Sequence, residues 1–149
     1  MNDFRKRPKG KYIQNANWSE LYVLTEHWKS DLNFYKDDLR FLKFLINKYF
    51  IWLTIEENVK EVQNIEKSLH DTEVICNNLI EKVKKHLIQL GDLSENTNLE
   101  SARIFRIEHE HLEDEISEFV KSFRINRKKV FKITEHIVDS EKLEGYLEG

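Results

Sequence analysis

Apolar and polar positions along this chain repeat with the spacing of long helices. The first run places Leu21, Trp28, Leu32, Tyr35, Leu39, Leu42, Ile46 and Tyr49 on one line, with Thr25 filling the remaining place. The steps alternate four and three, which keeps one stripe of an α-helix facing inward. Phe34, Phe41 and Leu45 widen that stripe on its flanks. Asn17 or Ser19 can cap the start, so the pattern predicts a helix over about residues 17–48.

Residues 47–53 read as a connection. Thr54-Ile-Glu-Glu57 after it has the form of a capping box, in which the hydroxyl takes a backbone amide and the carboxylate reaches back to the cap. A second run follows at Val59, Val62, Leu69, Cys76, Ile80, Val83, Leu87 and Leu90, with Ile65 and Leu79 broadening it. Gly91 is expected to supply the left-handed residue that ends this helix, giving a span of about 54–90.

Thr97-Asn-Leu-Glu100 is a further capping box, with Ser94 as an alternative. The third run is the cleanest: Ala102, Phe105, His109, Leu112, Ile116, Phe119, Phe123, Asn126, Val130, Ile133, Ile137. It predicts a helix over about 97–140 that frays near Ser140, before Gly145.

Three amphipathic helices joined by short connections define an all-α fold: three long helices in an up-down-up antiparallel, coiled-coil-like bundle. Connections centred near residues 51 and 94 would make facing positions total roughly 102 and roughly 188 in such a bundle. Glu56, Glu57 and Glu61 then face Lys132, Lys128 and Arg127. Lys36 and Lys43 face the regions of Glu66 and Val59, and Glu73 falls beside Glu115. The apolar Phe50, Ile51 and Trp52 would rest on residues 136–138.

Composition changes this picture little. The chain has 149 residues, enough for one domain at 17–149, and only four Gly and one Pro, so few turns. The net charge of −3 is uneven: residues 1–11 carry a net +4 and the remainder −7. Residues 1–16 thus read as a flexible basic arm. No apolar run is long enough to span a bilayer. With a single Cys and no signal-peptide pattern, a cytoplasmic protein is expected.

Candidate chemistry is sparse. No glycine-rich phosphate loop or nucleophile elbow occurs, so no enzyme and no small-molecule substrate are predicted. One layer combines imidazole, thiol and carboxylate: His27 with Asp31 one turn on, Cys76, and His109 with Glu113 one turn on. Such donors suit a divalent metal, the one candidate cofactor. Glu108-x-x-His111 has the spacing used in di-iron bundles but occurs once, where those bundles repeat it. His109 and Asn126 serve equally as polar core positions that fix register, and Cys76 as a small buried hydrophobe.

Arg5, Lys6, Arg7 and Lys9 offer contacts to phosphate on a nucleic acid or an anionic membrane surface, with no aromatic stacking platform beside them. Phe34, Phe41, Phe50, Trp52 and Phe131 exceed what a narrow three-helix seam needs. They mark a wide core stripe or a surface for another helix, from a second copy or another helical protein.

The stretch Trp28-Lys-Ser-Asp-Leu-Asn-Phe-Tyr-Lys-Asp-Asp-Leu39 resembles a segment of small uncharacterised helical proteins of Bacteroidetes-type bacteria, where it opens a helical hairpin. The resemblance implies a bacterial cytoplasmic protein and carries no activity with it.

Overall fold

The computed structural model describes residues 17–56, 59–95 and 98–148, with side chains as far as residue 135 except at 56. The described residues form helices: α1 (Trp18–Lys48), α2 (Phe50–Glu56), α3 (Val59–Glu95) and α4 (Leu99–Glu148). Among the described residues there is no strand.

Asn17 begins α1 as expected. Its side chain accepts from the Glu20 amide at 2.8 Å, and the Glu20 carboxylate accepts from the Asn17 amide at 3.5 Å. This reciprocal pair satisfies two amides that lack a partner inside the helix. The predicted stripe then turns inward. Leu21, Thr25, Trp28, Leu32, Leu39, Leu42, Ile46 and Tyr49 are buried, and Leu24 joins them.

The connection expected over 47–53 is instead mostly helical. α1 pauses at Tyr49, whose amide still bonds to the Leu45 carbonyl at 3.1 Å, and the Leu53 amide bonds to the Tyr49 carbonyl at 2.8 Å. α2 thereby turns Leu53 fully into the core and leaves Ile51 and Trp52 in solvent. Thr54 is consequently no helix cap: it lies inside α2 and its hydroxyl donates to the Ile51 carbonyl at 2.9 Å. Glu57, the other half of that predicted box, lies outside the described residues.

Gly91 does not end α3. It keeps helical backbone, and the helix runs one turn further to Glu95. Leu93 explains the extension, because it is buried against Leu21, Leu90 and Phe105 at that end of the bundle. A methyl group added at Gly91 would meet open space. Gly91→Ala should therefore stabilise the protein by ~0.5–1 kcal/mol, through lower unfolded-chain entropy and better helix propensity. A urea midpoint that falls on this substitution would contradict the helical assignment.

Asn98, not Thr97, caps α4: its side chain accepts from the Ser101 amide at 2.8 Å and its carbonyl from the Ala102 amide at 3.0 Å. Thr97 lies outside the described residues. α4 continues past Ser140 to Glu148.

Cross-helix pairs give the directions of the long helices. Leu32 meets Cys76 and Lys43 meets Glu73, so α3 runs against α1. Ser68 and Thr72 meet Asn126, Lys82 meets Glu115, and His86 meets His109, so α4 runs against α3. Trp18 meets Phe105 and Asp38 meets Arg127, so α1 and α4 run together. α3 is the middle element, packing extensively on both others, whereas α1 and α4 touch more sparsely.

The register differs from the expected one. Lys43 pairs with Glu73 at 3.2 Å, two heptads beyond the Val59 region. Lys82 takes Glu115 at 2.7 Å, which separates Glu115 from Glu73. Arg127 pairs with Asp38 at 3.4 Å and covers the Phe131 ring, while Glu61 shares a cleft with Lys129 and Lys132. The cause is the length of each reversal. α2 consumes residues that were counted as helix α3, and α3 itself runs past Gly91.

Candidate functional site

Two regions stand out against this frame: a buried aromatic and imidazole layer, and an exposed aromatic face.

The layer lies where a small apolar cluster (Leu21, Leu90, Leu93, Phe105) gives way to the main core beginning at Leu24 and Trp28. His109 occupies a seam position of α4 between Phe105 and Leu112. His86 holds the equivalent place on α3 between Val83 and Leu90. The rings stack in order: Phe105 on His86 at 4.1 Å, His86 on His109 at 4.8 Å, and His109 on Trp28 at 4.5 Å. His86 Nε2 and His109 Nδ1 are 2.7 Å apart, so one nitrogen donates and the other accepts. Protonating both rings would set N–H against N–H.

Burial opposes charge on both rings. It lowers His86 from 6.5 to about 4. It lowers His109 from 6.5 to about 3, with the neighbouring His86 and Arg106 adding to the effect. The pair is thus neutral at physiological pH. His109 Nε2 is buried without a hydrogen-bond partner among the described residues. Sequence reading singled out His109 but missed His86, which sits beside Lys84 and Lys85 and resembles a surface position. Its spacing, three after Val83 and four before Leu90, was the available signal.

The predicted metal layer is only partly assembled. His109 and Glu113 are buried, Asp31 is half-buried, and His27 is exposed on the outside of α1. Cys76 is buried elsewhere, its thiol donating to the Leu32 carbonyl at 3.4 Å. Burial pushes that thiol up to about 11, with Glu73 adding and Lys36 opposing, so it is held as a thiol at neutral pH. Glu108 and His111 face a groove between α3 and α4 whose other wall carries Lys82 and Lys85. Among the described residues no three of His, Cys, Asp and Glu converge where they could hold a metal ion.

Asn126 is buried and bridges two side chains of α3. It accepts from the Ser68 hydroxyl and donates to the Thr72 hydroxyl, both at 2.7 Å. These bonds tie α4 to one register on α3, the role expected of a lone buried amide.

The aromatic flank divides. Phe50 and Phe131 are half-buried and pack against the main core. Phe34, Phe41 and Trp52 are exposed at 65%, 47% and 51%. Phe44 and Ile55, not singled out from sequence, are exposed at 57% and 75%, and Ile51 at 73%. The exposed ones all belong to α1 and α2.

Arg5, Lys6, Arg7 and Lys9 lie outside the described residues. No described helix is long and apolar enough to cross a membrane. Comparison with family models, with curated proteins and with solved structures finds no match to this chain. What the fold and site define is a class: an all-helical bundle with a neutral buried histidine pair and an aromatic outer face.

Proposed function

We propose that this protein is a non-enzymatic helical interaction or assembly module that docks through the outer face of α1 and α2. The observation that carries the reading is the exposure of Phe34, Phe41, Phe44, Ile51, Trp52 and Ile55 on one continuous stretch. An aromatic side chain presents ~150–250 Å² when fully exposed, and these residues are each about half to three-quarters exposed, so the patch reaches several hundred Å², the size at which a surface patch is often functional. The core is complete without these rings, because the inward stripe of α1 is already filled by Leu32, Leu39, Leu42 and Ile46.

A metal-holding layer has less behind it. His27 is exposed whereas His109 is buried, burial raises the Cys76 thiol, and the lysines of the groove compete with any cation there.

The test is the triple variant Phe34→Gln, Phe41→Gln, Phe44→Gln. Its thermal midpoint should stay within a few degrees of wild type, since exposed substitutions cost about ±0.5 kcal/mol each, while binding of the hydrophobic dye ANS and association both fall. Unfolding of the triple variant, or unchanged dye binding, would overturn the reading.

A further inference from the structure

The outer face of α1 and α2 carries a second heptad seam. Positions 23, 27, 30, 34, 37, 41, 44, 48, 51 and 55 are spaced alternately four and three, and all are exposed. The hydrogen bonds through Tyr49 carry this phase from α1 into α2. The occupants are Val23, His27, Ser30, Phe34, Asp37, Phe41, Phe44, Lys48, Ile51 and Ile55. Beyond His27 and Ser30, the seam is apolar except for one acid and one base.

We infer that this seam pairs with the same seam of a second copy, antiparallel, about a two-fold axis beside residues 42 and 43. The inference rests on reading this face as a docking surface, and it adds the occupant and the register. In an antiparallel helix pair the two kinds of seam position face each other. Phe41 then lies against Phe44 of the second copy, Phe34 against Ile51, and Asp37 against Lys48. Because the interface is isologous, each contact is made twice. The only two charged seam residues thus neutralise each other across the axis. A parallel, in-register pairing would set Asp37 on Asp37 and Lys48 on Lys48, at a cost.

The area is also adequate. Three Phe, Trp52 and two Ile, each about half to three-quarters exposed, together offer several hundred Å² per copy. That is on the order of the ~800 Å² per partner of a standard stable interface.

Sedimentation equilibrium of the full chain, over a range of concentrations, tests this. Wild type should reach twice the 18.0 kDa chain mass. Asp37→Lys and Lys48→Asp should each weaken dimerisation about tenfold or more, since two attractive pairs become repulsive. The combined Asp37→Lys, Lys48→Asp chain should recover to within about threefold of wild type, because a reversed pair is still a pair. Each position is exposed, so helicity by circular dichroism should hold in all variants.

A strictly monomeric wild type overturns the second copy as occupant. A dimer indifferent to the single changes, or one the double change fails to restore, overturns the register. Neither result touches the reading of the face as a docking surface, whose fate rests on the phenylalanine-to-glutamine variant.

Discussion

Lowering the pH from 7 to 5 should remove about 3–4 kcal/mol of folding stability, through His86 and His109. The unfolded chain takes up a proton at each ring near pH 6.5, whereas the folded chain refuses them until about 4 at His86 and about 3 at His109. Between those limits the unfolded state holds more protons, so stability falls as pH falls, by up to ~1.4 kcal/mol per pH unit for each ring. The loss begins near pH 6.5 and continues to about 3. A free carboxylate titrates at about 4, below this window, so the histidines dominate it. A loss of that size is a large part of the ~5–15 kcal/mol typical of a domain.

Urea titrations at pH 7 and pH 5, followed by far-UV circular dichroism, measure it directly. The double variant His86→Leu, His109→Leu is the control. Both hydrogen-bonding partners leave together, so the cost at pH 7 is small, and the acid sensitivity should largely disappear. Equal midpoints at both pH values in wild type, or undiminished acid sensitivity in the double variant, would refute the assignment.

Trp28→Ala should cost ~3–5 kcal/mol, the value for emptying a large aromatic site in a core that relaxes only in part. Trp28 is fully buried and stacks on His109. For a chain of this size the thermal midpoint should drop by ~10–15 °C. Phe34→Ala, on the same helix but 65% exposed, should change it little. The two sites are linked through the stack. Water admitted beside His109 would ease protonation, so the pH dependence of Trp28→Ala should be shallower than that of wild type. A loss below about 1 kcal/mol would show that Trp28 is not enclosed in this layer.

The helices and their inward faces were legible residue by residue. Leu21 through Ile46 and Phe105 through Val130 lie inward where the four-three spacing places them, with Tyr35 half-buried among them, and Asn17 caps as its type suggests. Local rules failed where a distant contact outweighed them. Gly91 is a good terminator, yet the burial of Leu93 exceeds the ~1 kcal/mol that helical glycine costs. Thr54 with Glu57 resembled a cap, yet burying Leu53 carried the helix through Thr54. His86 was hidden among lysines, although its spacing from Val83 and Leu90 is that of the inward face. The outer face of α1 was half visible: Phe34 and Phe41 were singled out, whereas Phe44 was not, although its place between the inward Leu42 and Ile46 turns it outward.

By itself, then, the amino-acid order determined helix identity and the buried stripe, since both follow from a period of 3.6 and the removal of apolar surface from water. The tertiary structure decided how far each helix runs, which turn of one meets which turn of the next, and so which histidines touch. Those depend on the length of each reversal and on contacts between residues far apart in the chain, where moving a pairing by one heptad leaves the apolar pattern intact while exchanging every polar partner.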